Sequence, residues 1–213
     1  MSWVKRSGTT TVGIVCRDGV VLATDTRVTS GHVVSHKRGK KLFKIDDNIG
    51  MTIAGVVADA QTVLDILKAN VALFRMSNKR RMSVKAAASL VSNLLFEYRI
   101  APLILQAIIA GYDDEGYHVY TLDPFGSVIE DKYVSTGSGS PIALGVLEDG
   151  YKEGMSVEEG IKLAVKAVRS AIRRDVATGD SIDVAVITKE KGFYELSSEE
   201  KNRILRSLES ERG

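Results

Sequence analysis

The chain has 213 residues, 44% hydrophobic and 26% charged, the balance of a globular domain that buries a core rather than of a disordered or low-complexity segment. Its 29 basic and 27 acidic residues leave a formal charge of +2, which removes the main electrostatic reason to propose nucleic acid or an acidic membrane as partner. The single cysteine, Cys16, cannot form an internal disulfide, and no apolar run approaches the roughly 18 residues of a membrane span, so a reducing, cytoplasmic setting is expected.

Met1 to Gly8 include Lys5 and Arg6 but have no apolar stretch behind them that could serve as a signal-peptide core. The runs TTTVGIVC and VVLATDTRV, between Thr9 and Val28, flank Arg17-Asp18-Gly19. An Asp-Gly pair between β-branched runs predicts a hairpin, with the glycine supplying the positive φ of a tight turn. Short strands are predicted at Gly31 to Ser35, Lys41 to Lys44 and Ile49 to Ala54. A helical period then takes over, with Val63, Ile66, Leu67, Val71 and Phe74 in Asp59 to Phe74, and Ala87, Leu90, Val91, Leu94 and Leu95 in Ser83 to Tyr98.

Beyond Pro102, Leu103 to Ala110 is an apolar run broken only by Gln106, the pattern of a strand buried on both faces. Turns at Asp114-Glu115-Gly116 and Asp123-Pro124-Phe125-Gly126 divide off three short strands spaced as an antiparallel meander. A helix follows Gly137-Ser138-Gly139-Ser140, with Ala143, Val146 and Leu147 on one face. Ser156 and Glu159 make a capping box ahead of Ile161, Ala164, Val165, Val168 and Ile172, and Arg173 and Arg174 suit the helix C-terminus. Ile182 to Thr188 reads as a buried strand, Phe193 to Leu196 as an edge strand, and Ser197 to Glu211 as a terminal helix opened by a second capping box, Ser197 with Glu200. The order predicts an α+β chain folded as a four-layer αββα sandwich: two antiparallel sheets face to face, each outer face covered by a helix pair. No repeat or linker marks a second domain.

The usual catalytic motifs are missing: there is no Gly-x-Ser-x-Gly, no Walker loop, no His-Glu-x-x-His and no Cys pair. His32, His36 and His118 read as solvated or structural, and no metal or cofactor is expected. What stands out is Gly8-Thr9-Thr10-Thr11-Val12-Gly13. Alone, the threonine cluster reads as strand propensity. Asp25 with Arg27 reads as a solvated pair, Lys41 as part of the basic run His36 to Lys41, Gly55 as a turn, Gly137-Ser138-Gly139 as a loop and Asp175 as a helix-terminal acid. Their order and spacing together say more.

In combination, with Gly145-Val146-Leu147-Glu148-Asp149 after the Gly-Ser-Gly-Ser segment, these residues resemble the catalytic β subunits of the 20S proteasome in their archaeal form. The resemblance runs over nearly the whole chain and implies the fold of the N-terminal nucleophile hydrolases. It implies that residues 1–8 are a propeptide removed autocatalytically, leaving 9–213 as one catalytic domain with Thr9 at its head. A threonine hydroxyl is a weak nucleophile that needs a base. The free α-amine of a first residue, with an unperturbed pKa of about 7.7 to 8.0, can supply one. By the same resemblance Lys41 sits beside the Thr9 hydroxyl, Asp25 holds Lys41, and Arg27 supports that charged group. The Gly55 N–H forms the oxyanion hole, and Ser138 and Asp175 orient the amine. Thr178 stands where the family usually has serine, which keeps the hydroxyl and adds a methyl. Val28, Thr29, Gly39, Ile53, Gly55 and Val57 are expected to line an apolar substrate pocket that favours cleavage after large apolar residues. The implied partners are other β subunits in a seven-membered ring, rings of α subunits, an ATP-driven unfoldase and unfolded polypeptide. A non-catalytic ring-forming β-type subunit, a bacterial-type ATP-dependent threonine peptidase and a small-molecule amidase are the alternatives.

Overall fold

A computed structural model describes residues 8–31 and 33–210. The readings made above for Met1 to Ser7, for His32 and for the end of the terminal helix at Glu211 lie outside the described residues.

The chain opens on the predicted hairpin, but with a different turn. Strands β1 (Thr11–Cys16) and β2 (Gly19–Asp25) pair with Cys16 opposite Gly19, so Arg17 and Asp18 are the loop residues. Gly19 does not have a positive φ. It is a glycine because of crowding: a Cβ there would stand 2.7 Å from Val157 Cγ2 and 2.9 Å from the Ile187 carbonyl oxygen. A small hairpin follows, β3 (Val28–Ser30) with β4 (Val33–His36), in place of the one strand predicted at Gly31 to Ser35. Gly31, at φ +64°, supplies its turn.

Next come β5 (Leu42–Asp46), β6 (Ile49–Gly55) and the helices α1 (Val57–Asn78) and α2 (Val84–Glu97). Strands β7 (Leu105–Tyr112), β8 (Tyr117–Leu122), β9 (Val128–Glu130) and β10 (Tyr133–Thr136) lead to α3 (Ser140–Gly150) and α4 (Val157–Ile172). The chain closes on β11 (Ile182–Thr188), β12 (Gly192–Glu195) and α5 (Ser198–Ser210). Both predicted capping boxes form. Glu159 N–H donates to Ser156 Oγ at 3.3 Å and Ser156 N–H to Glu159 Oε2 at 2.7 Å; Ser197 and Glu200 repeat the exchange at 3.3 and 2.7 Å.

One five-stranded sheet has the order β10-β1-β2-β11-β12 and the other β5-β6-β7-β8-β9, both antiparallel throughout. The meander predicted from turn spacing therefore ends at β9, and β10 crosses to pair with β1 in the opposite sheet. Turn spacing locates strands but carries no information about their partners. Alternation along each strand divides the core into three. Val20, Leu22, Ile108, Ala110, Val134, Ala185 and Ile187 meet between the sheets. Met51, Leu105, Ala107 and Ile109 pack under α1 and α2, while Val12, Ile14, Val21, Ala23 and Val184 pack under α3 and α4, with α5 added through Leu208. This is the expected αββα sandwich. Among the described residues no helix is long and apolar enough to cross a membrane.

Candidate active site

Register brings the site residues to one end of the sandwich. Thr11 opens β1 opposite Thr24 and Thr136, so Thr9 and Thr10 project past the sheet beside Asp25, the last residue of β2, and the Gly137 to Gly139 turn after β10. Ile182 of β11 pairs with Asp25, which delivers the loop between α4 and β11 to the same place. On the facing sheet, the Ile53 N–H donates to the Lys41 carbonyl at 3.0 Å, which sets Lys41 beside the end of β6 and Gly55.

Asp25 is the centre of this arrangement. Its side chain is fully buried, and Oδ1 accepts from Lys41 Nζ at 2.8 Å and from the Thr10 N–H at 2.9 Å. Its Oδ2 accepts from the Gly179 N–H at 2.9 Å and the Arg27 N–H at 3.2 Å. Such saturation is what a buried carboxylate requires. Lys41 is also buried. Burial pushes its ammonium below the ordinary lysine value, while the charge of Asp25 and the hydrogen bond to it pull the other way.

The Gly8–Thr9 peptide lies against this pair. Thr9 Oγ1 donates to the Gly8 carbonyl oxygen at 2.6 Å, and Lys41 Nζ approaches the same oxygen at 3.5 Å. Gly8 N–H donates to Thr29 Oγ1 at 2.8 Å. A Cβ at Gly8 would stand 1.8 Å from that of Ala177, so no larger residue fits this approach without movement. Behind Thr9, its N–H donates to Ser138 Oγ at 3.2 Å, and Ser138 Oγ donates to Asp175 Oδ2 at 2.5 Å. Thr178 Oγ1 donates to the same carboxylate oxygen, also at 2.5 Å. The methyl that distinguishes Thr178 from serine leaves its hydroxyl on Asp175.

Arg27 lies elsewhere than the sequence suggested. Its guanidinium leaves the Asp25–Lys41 pair and clamps the loop into β11, with Nε 3.0 Å and Nη2 3.3 Å from the Asp180 carboxylate and Nη1 2.9 Å from the Val176 carbonyl. The bond to Asp180 raises Arg27 above its ordinary value and holds Asp180 below the usual carboxylate range. The Arg27 side chain therefore reaches the site through the loop that carries Gly179, while its backbone N–H bonds Asp25 directly.

Val28, Thr29, Gly39, Ile53, Gly55 and Val57 all line one cleft of about 650 Å³ that Thr9 and Lys41 share. Gly39 keeps it open, since a Cβ there would stand 2.1 Å from Val28 Cγ2. Gly55 has φ +138°, and a Cβ would lie 2.0 Å from the Ile104 carbonyl oxygen, so this turn admits only glycine without rebuilding. Sequence reasoning missed Thr10, whose fully buried Oγ1 lies 2.7 Å from Thr178 Oγ1, as well as Gly179, Asp180, Phe43 and Gln61. Thr10 lies in the Gly8 to Gly13 motif and Gly179-Asp180 is a turn dipeptide, whereas Phe43 of β5 and Gln61 of α1 are ordinary strand and helix residues until the fold aligns them.

The sequence matches the family described as "Proteasome subunit" over residues 5–187. It is 49% identical over 201 residues to "Proteasome subunit beta" of Methanothermobacter thermautotrophicus, covering 94% of this chain and 96% of that protein. Identity is 52% over 201 residues to the protein of the same name in Methanosphaera stadtmanae, again 94% and 96%. It is 52% over 184 residues to "Proteasome subunit beta 2" of Aeropyrum pernix, 86% and 84%. With similarity over nearly the whole chain and the αββα fold in agreement, this chain belongs to the proteasome subunit family, as a β subunit of the archaeal 20S type.

Proposed function

We propose that this β subunit is a threonine-type endopeptidase whose nucleophile, Thr9, is released when the chain cuts its own Gly8–Thr9 bond. The observation that carries the reading is the Gly8 carbonyl oxygen, which accepts from Thr9 Oγ1 at 2.6 Å with the buried Lys41 Nζ 3.5 Å away. In the uncut chain the Thr9 nitrogen is an amide and cannot act as a base. Lys41, whose ammonium burial holds below the ordinary lysine value, is the amine next to the reacting bond. Attack of Oγ1 on the Gly8 carbonyl carbon, with loss of the hydroxyl proton, moves the acyl group from nitrogen to oxygen. The Thr9 nitrogen takes up a proton and becomes a free amine. Water then hydrolyses the ester, releasing residues 1–8 as a carboxylate and restoring the Thr9 hydroxyl.

On a substrate the same hydroxyl attacks the scissile carbonyl. The new α-amine takes its proton, Lys41 favours the developing alkoxide, and Ser138 with Asp175 orients the amine. The Gly55 N–H serves as oxyanion donor in a backbone turn that only glycine fits. Val28, Ile53 and Val57 give the cleft an apolar wall, which supports cleavage after large apolar residues. Residues 9–213 act as one catalytic domain in a closed cytoplasmic particle of seven-membered β and α rings, fed with unfolded polypeptide by an ATP-driven unfoldase.

Co-expression with an α subunit, followed by intact mass and peptide hydrolysis, tests the reading. Wild-type particles are expected to carry β chains beginning at Thr9 and to cleave after Leu or Tyr faster than after Arg or Glu. The Thr9→Ala chain is expected to retain Met1 to Gly8 and to hydrolyse none of them. Normal trimming of the Thr9→Ala chain with no other active subunit present would refute self-cleavage, and a dominant rate after Arg or Glu would refute the apolar preference.

A further inference from the structure

The one polar residue in the apolar run of β7 is Gln106, and the catalytic reading gives it no task. Alternation places it on the inward face of its sheet: Ile108 and Ala110, two and four residues on, pack between the sheets, whereas Leu105, Ala107 and Ile109 pack under α1 and α2. Where Ile108 and Ala110 are buried, Gln106 is exposed at the end of the sandwich, the end where the Thr9 site lies. Its Oε1 accepts from the Gly137 N–H of the opposite sheet's β10–α3 turn at 3.1 Å.

That turn has little freedom to move. Gly137 has φ +92°, and a Cβ there would stand 2.1 Å from the Thr9 carbonyl oxygen. Gly139 N–H donates to that oxygen at 3.3 Å, and Ser138, between the two glycines, accepts from Thr9 N–H and donates to Asp175. Both glycines are free to rotate in any state where these bonds loosen. The Gln106 amide is a link from the other sheet that holds the turn at its first residue.

We infer that Gln106 is a positioning residue for the peptidase: by fixing the Gly137 N–H across the gap between the sheets, it sets the distance from the Ser138 hydroxyl to the Thr9 nitrogen. The inference rests on the reading of Thr9 as nucleophile. A single hydrogen bond at an exposed site has a modest effect, so Gln106→Leu is expected to lower kcat by roughly three- to tenfold with KM little changed. Because the Thr9 amine loses its fixed acceptor, the acidic limb of the kcat/KM profile should move as well. Gln106→Glu keeps an oxygen at the same reach and is expected to recover kcat to within about twofold.

The experiment uses particles assembled with α subunits and two readouts. One is steady-state peptide hydrolysis across pH. The other is hydrogen exchange of a peptide spanning Tyr133 to Ser140, which should quicken in Gln106→Leu and return toward wild type in Gln106→Glu. Unchanged exchange in Gln106→Leu overturns the link between the sheets. Faster exchange with unchanged kcat and pH profile overturns the positioning role. Loss of kcat that Gln106→Glu does not recover also overturns it, since the acceptor oxygen is then not what matters. Wild-type particles that hydrolyse no peptide overturn the peptidase reading and the positioning role with it, while exchange still decides whether the link exists.

Discussion

Asp25 and Lys41 form a buried ion pair, and the two partners are not equivalent. Removing Lys41 leaves Asp25 with N–H donors from Thr10, Gly179 and Arg27. Removing Asp25 strips the buried Thr10 and Gly179 N–H groups of their carboxylate acceptor and isolates the ammonium; only the Arg27 N–H has a second acceptor, the Gly179 carbonyl. Asp25→Ala is therefore expected to cost about 3–5 kcal/mol, the usual range for breaking a buried pair, and Lys41→Ala clearly less. Urea denaturation of the two variants checks the ranking; equal losses would mean that the backbone donors contribute nothing. Lys41→Ala should nevertheless block processing of the Gly8–Thr9 bond, separating the chemical role from the structural one.

At the scale of elements, α4 lies on its sheet at a distance set by one residue. A Cβ at Gly160 would stand 2.5 Å from Cys16 Sγ in β1, closer than side-chain atoms pack. Burial, reinforced by Asp18 and Glu159, pushes the Cys16 thiol up to about 12, so at neutral pH it is an inert neutral filler of this contact. Gly160→Ala is expected to destabilise by about 1–3 kcal/mol although alanine is the better helix former by roughly 1 kcal/mol, because overpacking outweighs propensity. The double variant with Cys16→Ala should recover most of that loss, and additive losses in a double-mutant cycle would show that the contact is not the cause. The capping boxes of α4 and α5 were legible because both partners sit within three residues of each other. Gly160 was not, because its neighbour is 144 positions away in sequence and is met only when helix and sheet pack.

For the whole molecule, the proposed maturation changes charge and optical properties together. Loss of Met1 to Gly8 removes Lys5, Arg6 and the only tryptophan, Trp3, leaving 205 residues with 27 basic against 27 acidic groups and no net charge. Processing is therefore expected to abolish tryptophan fluorescence in the β chain as intact mass falls, and persistence of the signal in chains that begin at Thr9 would contradict the assignment of the cut. The surface keeps large apolar side chains exposed, among them Leu73, Met76, Phe96, Ile100, Phe125 and Ile129. Size-exclusion of the co-expressed subunits is expected to give a particle of several hundred kilodaltons; a stable monomer or dimer would contradict the closed particle.

The sequence alone determined what depends on short-range periodicity, namely most of the elements, their layer order and both capping boxes; the set Thr9, Asp25, Lys41, Ser138 and Asp175 came from resemblance to a known family, and its catalytic role is the reading proposed above. Tertiary structure alone decided which strand pairs with which, sending β10 to β1, and which side chain each charged group faces, setting the Arg27 guanidinium on Asp180 while its backbone N–H stays on Asp25. It also revealed that Gly19 and Gly160 are demanded by packing, and that Gln106, the lone polar residue of a buried strand, meets a backbone N–H from the other sheet. The division has a physical reason. Periodicity and capping are set by covalent geometry within a few residues, whereas strand order, ion-pair choice and close approach are set by long-range packing that no local stretch encodes.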